Sequence, residues 1–507
     1  MKPEDIMNSV NDIEDDMLND VQKIRTKKKN SKPWIKFVAV AACLCIVVGA
    51  VLGHFHFNPI EPVNPSALPS THLHSNAPVM NPFSVSNAVY PAMLKYPSED
   101  AFRSDNGEVD WVAYTNAVTK WHEDFKTRNK NVASSGDYSS FVNSTTKVFL
   151  SDTKGENIVY SPVNVYMAMS MLAESTGGKT RHQILALLGA DSIEDLRVKA
   201  NRLWLSNYSD DGVKTNILAN SVWMNDNLSY NKDTLDILAE KYYASSFSGT
   251  MGSSEYNSAL HNWLNEQTGG LLKKQAEGLE FTSDMVLSLA STVYFKGGWE
   301  SEFPEHLTKP DIFNSVNGKT SIDFMYQMLN GTPLYSDDDY SATTLSFKNG
   351  GKMWFILPDE GTSPEALIQS GSINPILNGS TPKNTHNGHL IHFYMPKFDI
   401  VSSSELSDYT RQLGVTDVFD ENKADFSPIL ADNMSAYVSS INHSARVTVD
   451  EKGCTAAAFT VITAEGTMMP DGKEIEFRLN RPFIFVITSD DSTPLFVGVV
   501  NNVQPTS

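Results

Sequence analysis

The chain has 507 residues, with 40 Lys and Arg against 60 Asp and Glu, a formal net charge of −20. At 41% hydrophobic and 20% charged it has globular composition, which excludes a wholly disordered or collagen-like chain. The acid excess argues against a general nucleic-acid binder, and three cysteines are too few for a disulfide scaffold.

Residues 1–33 carry seven basic and seven acidic groups. Ile6, Val10, Ile13, Met17, Val21 and Ile24 recur at helical spacing, so this head reads as one solvated amphipathic helix. Phe37 to Phe57 is a run of 21 residues without a formal charge. As a helix it would span roughly 31 Å, against a hydrocarbon thickness of ~30 Å. Residues 34–57 are therefore predicted to be a single transmembrane anchor. Lys23, Arg25, Lys27, Lys28, Lys29, Lys32 and Lys36 precede the run, and the next basic residue after it is Lys95. That asymmetry puts the N-terminus in the cytoplasm and the body outside. Three rival readings are a buried core helix, disfavoured because a Pro-rich linker follows and no domain is nearby to bury it, a cleaved signal peptide at Val48-Gly49-Ala50, which would release the body, and a lipoprotein-like site at Val40–Cys43. Residues 58–507 hold 32 basic and 53 acidic groups, so the net charge belongs to the outside part.

Residues 58–136 read as a Pro-rich, semi-rigid tether. Near its end a helix is predicted over 109–127, with Trp111, Tyr114, Val118, Trp121 and Phe125 on the face toward the body. His54, His56, His72 and His74 form two His-x-His pairs without further ligands, and are read as linker rather than a metal site.

From residue 137 onward, helical and strand patterns interleave. Tyr138–Leu150 reads as a helix, and Ser161-Pro162 starts a second, with Pro in the first turn where its missing N–H costs nothing. Strand-like runs are Ser288–Phe295, Lys352–Leu357, His392–Pro396, Arg446–Val449 and Pro482–Ile487. The fold class is α+β with large sheets. A nucleophile elbow, a His-Glu-x-x-His helix, a phosphate loop and a Cys-x-x-Cys pair are all missing, so an enzyme, a metal and a cofactor are not expected.

Six ordered segments carry a resemblance. They are Asn157-Ile158-Val159-Tyr160-Ser161-Pro162 with the helix running to Gly177-Gly178-Lys179-Thr180, then Ala219–Trp223, then Leu289–Phe303. The others are Met395–Ile400, Leu413–Ile429 and Phe477–Ile487. Together they resemble the serpins over about 137–503, with an anchor that would suit a bacterial, membrane-held member. The resemblance implies one domain over 137–507, with three β-sheets, eight or nine helices and an exposed reactive-centre loop. It also implies an irreversible inhibitor of serine proteases, acting as a suicide substrate whose cleaved loop inserts into the main sheet. A non-inhibitory binding or chaperone module is the alternative.

The resemblance places the hinge at Glu451, Gly453, Cys454, Thr455, Ala456, Ala457, Ala458 and Thr460. Family spacing then sets the reactive bond at Thr467–Met468, with Met469 or Glu465–Gly466 as other registers. The loop residues test this independently. There is no Pro from Cys454 to Met469, as a central strand requires. One alternate set is Cys454, Ala456, Ala458, Thr460, Ile462 and Ala464, all small or uncharged; Glu465 falls on the other. That is the pattern of a strand with one buried face. Cys454 stands where the family usually has Thr.

By the same resemblance Ser161, Asn164, Ser291 and His443 belong to a cluster where the sheet opens, and Trp299 marks where the loop first enters. Asn164 and Ser291 carry residue types exchanged relative to the family, so a hydrogen-bonded pair with reversed roles is expected if they touch. Thr467 is small and no basic residue lies between Lys452 and Lys473, which favours elastase-like or subtilisin-like targets over trypsin-like ones. Cysteine proteases are a further class that the family traps. The expected partners are thus a protease and a membrane, with the protein itself a monomer.

Overall fold

The structure is a computed structural model that describes residues 40–49, 81–129, 138–454 and 473–504, apart from gaps of one or two positions. The head at 1–33 lies outside the described residues. Three sheets carry the fold. The main sheet takes β1 (Val40–Gly49), β2 (Ser84–Ser86), β4 (Ser209–Asp210), β5 (Thr215–Asn225), β6 (Ala244–Gly249), β7 (Met285–Gly298), β15 (Phe398–Glu405), β16 (Tyr437–Val449) and β17 (Gly453–Cys454). Its strand order is β15-β16-β1-β7-β5-β6-β2, with β17 on β7 and β4 on β5.

The second sheet holds β3 (Ile158–Tyr160), β10 (Leu334–Ser336), β11 (Tyr340–Ser346), β12 (Lys352–Pro358), β13 (Asn384–His386), β19 (Phe483–Thr488) and β20 (Pro494–Val500), ordered β13-β10-β11-β12-β19-β20-β3. The third is β18-β14-β9-β8, built from β8 (Lys309–Ser315), β9 (Gly318–Asn330), β14 (Leu390–Pro396) and β18 (Glu474–Arg478). Four of the five strand runs read from the sequence fall inside these strands, and the fifth, Pro482–Ile487, begins one residue before β19.

The described helices are α1 (Trp111–Asn129), α2 (Tyr138–Leu150), α3 (Pro162–Ser175), α4 (Gly178–Leu188), α5 (Ile193–Asn207), α6 (Lys232–Lys241), α7 (Ser254–Gln267), α8 (Lys273–Glu277), α9 (Pro364–Ser370), α10 (Asn374–Leu377) and α11 (Ser407–Gln412). The count exceeds the implied eight or nine because α8 to α11 are short segments of seven residues or fewer. Local chemistry sets the ends. Ser161, Ser192, Ser253 and Ser363 each accept a backbone N–H at the start of α3, α5, α7 and α9, while Gly189 and Gly371 end α4 and α9 in left-handed conformation. Every residue of α3 is buried, since the helix runs under the main sheet against β7 and β1 and meets β20 of the second sheet. This explains its largely apolar sequence from Val163 to Ala173, in which the polar Asn164 and Ser170 are hydrogen-bonded.

Two sequence expectations change. Where a membrane helix was expected over 34–57, the described part, Val40–Gly49, is a strand lying between β7 and β16 and antiparallel to both. Extended chain satisfies its backbone on two sides at once, and Val40, Ile46, Val47 and Val48 are β-branched residues that suit a pleated surface. Among the described residues, no helix is long and apolar enough to cross a membrane.

The tether is also docked where it is described. β2 pairs with β6, Phe83 packs on Tyr256 at 4.9 Å, Tyr90 stacks on Tyr208 at 5.2 Å, and the Tyr96 N–H donates to the Asp211 carbonyl at 2.9 Å. Of the predicted helix face in α1, Trp121 is buried and donates to the Leu94 carbonyl at 3.1 Å, whereas Trp111 is 54% exposed. So α1 leans on the docked tether. Aromatic side chains that periodicity counting passed over (Phe83, Tyr90, Tyr96) make these contacts.

Candidate functional site: the hinge and the centre of the main sheet

β16 ends at Val449 and the chain reverses through Asp450–Lys452. It returns as β17, with Gly453 opposite Gly298 and Cys454 opposite Gly297 of β7. Several hydrogen bonds hold the reversal. The Gly453 N–H donates to the Asp450 carbonyl at 3.3 Å, and the Lys452 N–H to Asp450 Oδ1 at 2.9 Å. The Trp299 N–H donates to the Lys452 carbonyl at 3.1 Å, and its indole Nε1 to the Asp450 carbonyl at 3.0 Å. The Trp299 ring is fully buried, stacked on Phe347 with centroids 4.9 Å apart. Trp299 therefore sits beside the hinge, apart from the other cluster residues.

Gly453 has φ +105°, and a Cβ there would lie 2.4 Å from Trp299 N and 2.8 Å from the Gly298 carbonyl carbon. Only glycine fits both the conformation and the close approach. Glu451 is buried with its carboxylate on Lys397 Nζ at 2.6 Å and on the Thr308 hydroxyl at 2.9 Å, and its carbonyl accepts from the Phe303 N–H at 2.8 Å. Burial pushes the neighbouring Asp450 carboxyl up to about 7, against the lowering effect of the Lys452 N–H. Asp450, Lys397 and Thr308 were not singled out in the sequence. Lys397 lies within the segment Met395–Ile400 that carried part of the resemblance, but nothing local in the sequence pairs it with Glu451.

Under the middle of the sheet, Ser161, Asn164, Ser291 and His443 do come together, all buried. Ser161 Oγ caps α3 by accepting from the Asn164 N–H at 3.3 Å. Asn164 Nδ2 donates to Ser291 Oγ at 3.1 Å, the reversed pair that the exchanged residue types foretold. The Ser161 N–H donates to His443 Nε2 at 3.2 Å. The cluster ties α3 to β7 through Asn164 and to β16 through Ser161. Between those two strands runs β1, whose Leu44 lies opposite both Ser291 and His443.

The remaining loop assignments, Thr455, Ala456, Ala457, Ala458, Thr460, Glu465, Gly466, Thr467, Met468 and Met469, lie outside the described residues. The loop's two anchorages are described. Cys454 leaves from β7, and the chain resumes at β18, which pairs in parallel with β14. Among the described residues, no group of three or more His, Cys, Asp or Glu is placed to hold a metal.

The family described as "Serpin (serine protease inhibitor)" matches residues 137–503 of the chain. Serpin-Z1A of Triticum aestivum is 30% identical over 360 residues, which cover 68% of this chain and 90% of the wheat protein. The crystal structure of the thermophilic serpin tengpin in its native state superposes with a TM-score of 0.62 at 28% identity, covering 72% of this chain and 93% of tengpin. Thyroxine-binding globulin, solved in complex with thyroxine, shares the fold with a TM-score of 0.61 at 20% identity, covering 73% of this chain and 99% of its own.

Proposed function

The chain belongs to the serpin family, and on that premise we propose that it is an irreversible suicide-substrate inhibitor of elastase-like or subtilisin-like serine proteases. The observation that carries the reading is the hinge. β17 has already turned onto β7, which sets the register in which the loop would run once the path along β7 that β1 holds is free. The serine of the protease attacks the Thr467 carbonyl, the Thr467–Met468 bond breaks, and the Met468 amine leaves, with Thr467 held as an ester. The freed loop then runs down the sheet from Cys454. Fourteen residues of strand carry the ester over about 46 Å. Over that distance the triad and oxyanion hole of the attached protease are pulled out of line before water can release it. Met468–Met469 and Glu465–Gly466 are other bonds the same loop can offer, and a cysteine protease would be held through a thioester instead.

The anchor at 34–57 would keep the inhibitor at a cell membrane with the serpin domain outside, as a monomer. What supports this is the uncharged run with its basic flank on one side only. A second reading, a binding module, is favoured by the fold likeness to thyroxine-binding globulin alone. Incubation with pancreatic elastase or subtilisin and denaturing electrophoresis separates the two. A covalent band of summed mass supports inhibition, and sequencing the released C-terminal peptide identifies the bond. Thr460→Arg puts a charge on the face that must be buried, and is expected to turn inhibition into simple cleavage. Cleavage of the unsubstituted chain without a complex, by several proteases, both in water and in phospholipid vesicles, would reject the inhibitor reading.

A further inference from the structure

The place the loop must take in the main sheet is already occupied. β17 fixes the register of insertion by setting Gly453 opposite Gly298 and Cys454 opposite Gly297. Continued along β7, this register brings Ala456 to Phe295, Ala458 to Val293, Thr460 to Ser291, Ile462 to Leu289 and Ala464 to Leu287. Those five positions are held by Val40, Ala42, Leu44, Ile46 and Val48 of β1. On the other side the same strand faces β16, from Val447 opposite Val40 to Val438 opposite Val48. Direction, register and facing thus coincide for β1 and the inserting loop. β17 stops at Cys454 opposite Gly297, and β1 begins at Val40 opposite Phe295, only two positions further along β7.

We propose that Val40–Gly49 is an intramolecular competitor for the reactive loop, so that the trap is disarmed while β1 is in the sheet and armed when β1 is withdrawn into a lipid bilayer. The proposal rests on the loop-insertion reading above. β1 is the stronger occupant at the shared positions. By sequence it offers Val, Ala, Leu, Ile and Val where the loop offers Ala, Ala, Thr, Ile and Ala, the more apolar set of the two. It also satisfies two facing strand edges that would otherwise lie open.

A bilayer is the apolar phase able to draw it out. The strand lies inside the 21-residue uncharged run Phe37–Phe57, preceded by a basic cluster and long enough to span lipid as a helix. A residue cannot be in that helix and in the sheet together. The chain between Gly49 and Ser84 can extend on the order of 100 Å, enough to let the body stand off from the membrane. A protease meeting the disarmed form would cleave the loop and leave, because the acyl-enzyme hydrolyses before any insertion.

The test uses the full chain with Cys45→Ser and Ser444→Cys, with the partner of Cys43 identified by peptide mass. Cys43 is opposite residue 444 in β16, and directly opposed residues of antiparallel strands have the Cα spacing a disulfide needs. In water the disulfide is expected to form, as read by peptide mass spectrometry, and the covalent complex with elastase is lost. Reduced chain reconstituted in phosphatidylcholine–phosphatidylglycerol vesicles is expected to fail to form that disulfide and to yield the complex.

Ser403→Cys with Ser444→Cys, in a chain with its own cysteines replaced by serine, controls for folding, since those two hydroxyls are 2.9 Å apart across β15 and β16. If this control closes and the Cys43 pair does not, the proposal is overturned. It is equally overturned if the complex forms as well with the Cys43 pair closed as with it open. A synthetic peptide of residues 454–467 reads occupancy without any protease. It should bind the vesicle-held chain and not the tethered one, and equal binding to both refutes the competitor. The expected peptide result with no complex in any arm rejects the inhibitor reading alone.

Discussion

Gly453→Ala tests the hinge most directly. Its φ of +105° is a conformation that an L residue holds at a cost of about 1–3 kcal/mol. The added Cβ would also sit 2.4 Å from Trp299 N and 2.9 Å from the Gly297 carbonyl oxygen, and backbone atoms cannot rotate aside. β17 must therefore lift off β7. That breaks its pairing with Gly298 and Gly297 and strains the bond from the Trp299 N–H to the Lys452 carbonyl, each such bond contributing about 1 kcal/mol net. The sum is about 3–5 kcal/mol, concentrated in the hinge while the core is untouched. The assay is native-state hydrogen exchange at the Trp299 amide. Exchange through local opening should speed up by roughly a hundredfold or more for a loss of ~3 kcal/mol. Global unfolding by urea should move far less. An Ala variant whose Trp299 amide exchanges at the parent rate would refute the steric argument.

Two further outcomes follow from the buried polar groups. Asn164→Ser and Ser291→Asn should each lower stability by about 1–3 kcal/mol, because each mismatches a buried pair, and the double exchange should recover most of the loss in urea denaturation; strictly additive losses would show that the two side chains are not coupled. At Asp450, burial raises the folded carboxyl to about 7, against about 4 in the unfolded chain. Its contribution to the hinge is therefore full below about pH 4 and declines as pH rises through about 7. Trp299 amide protection should fall over that interval, and Asp450→Asn should flatten the dependence; a parent profile with no slope there would contradict the burial argument.

Much of the body was legible because its elements are patterned locally. Tyr138–Leu150 has helical apolar spacing and is the observed α2 to the residue, and Ser161-Pro162 carries its own start signal for α3. The Asn164–Ser291 contact was legible only by resemblance, since 127 residues separate the partners and no periodicity links them. The Lys397–Glu451 pair was not legible, for a lysine in one β-strand motif says nothing about the turn it will meet. The strand β1 was not legible, for a physical reason. An uncharged run long enough for a bilayer satisfies the helical reading completely, and only the β-branched residues Val40, Ile46, Val47 and Val48 hinted at a strand. Hydropathy measures how strongly a segment avoids water, and it is silent on which apolar surroundings will receive it.

The neighbours of β1 also set a timetable. The strand faces Met285–Phe295 on one side and Tyr437–Val447 on the other, segments made long after it. At about 5–20 residues per second, the second of these leaves the ribosome roughly 20–80 s after Val40 does. The segment is thus born without its place in the sheet, and must wait through most of translation for both walls to appear. Whatever apolar surroundings it meets in that interval have first claim on it. The history of each molecule during synthesis, as well as the equilibrium of the finished fold, then decides which of the two destinations β1 reaches.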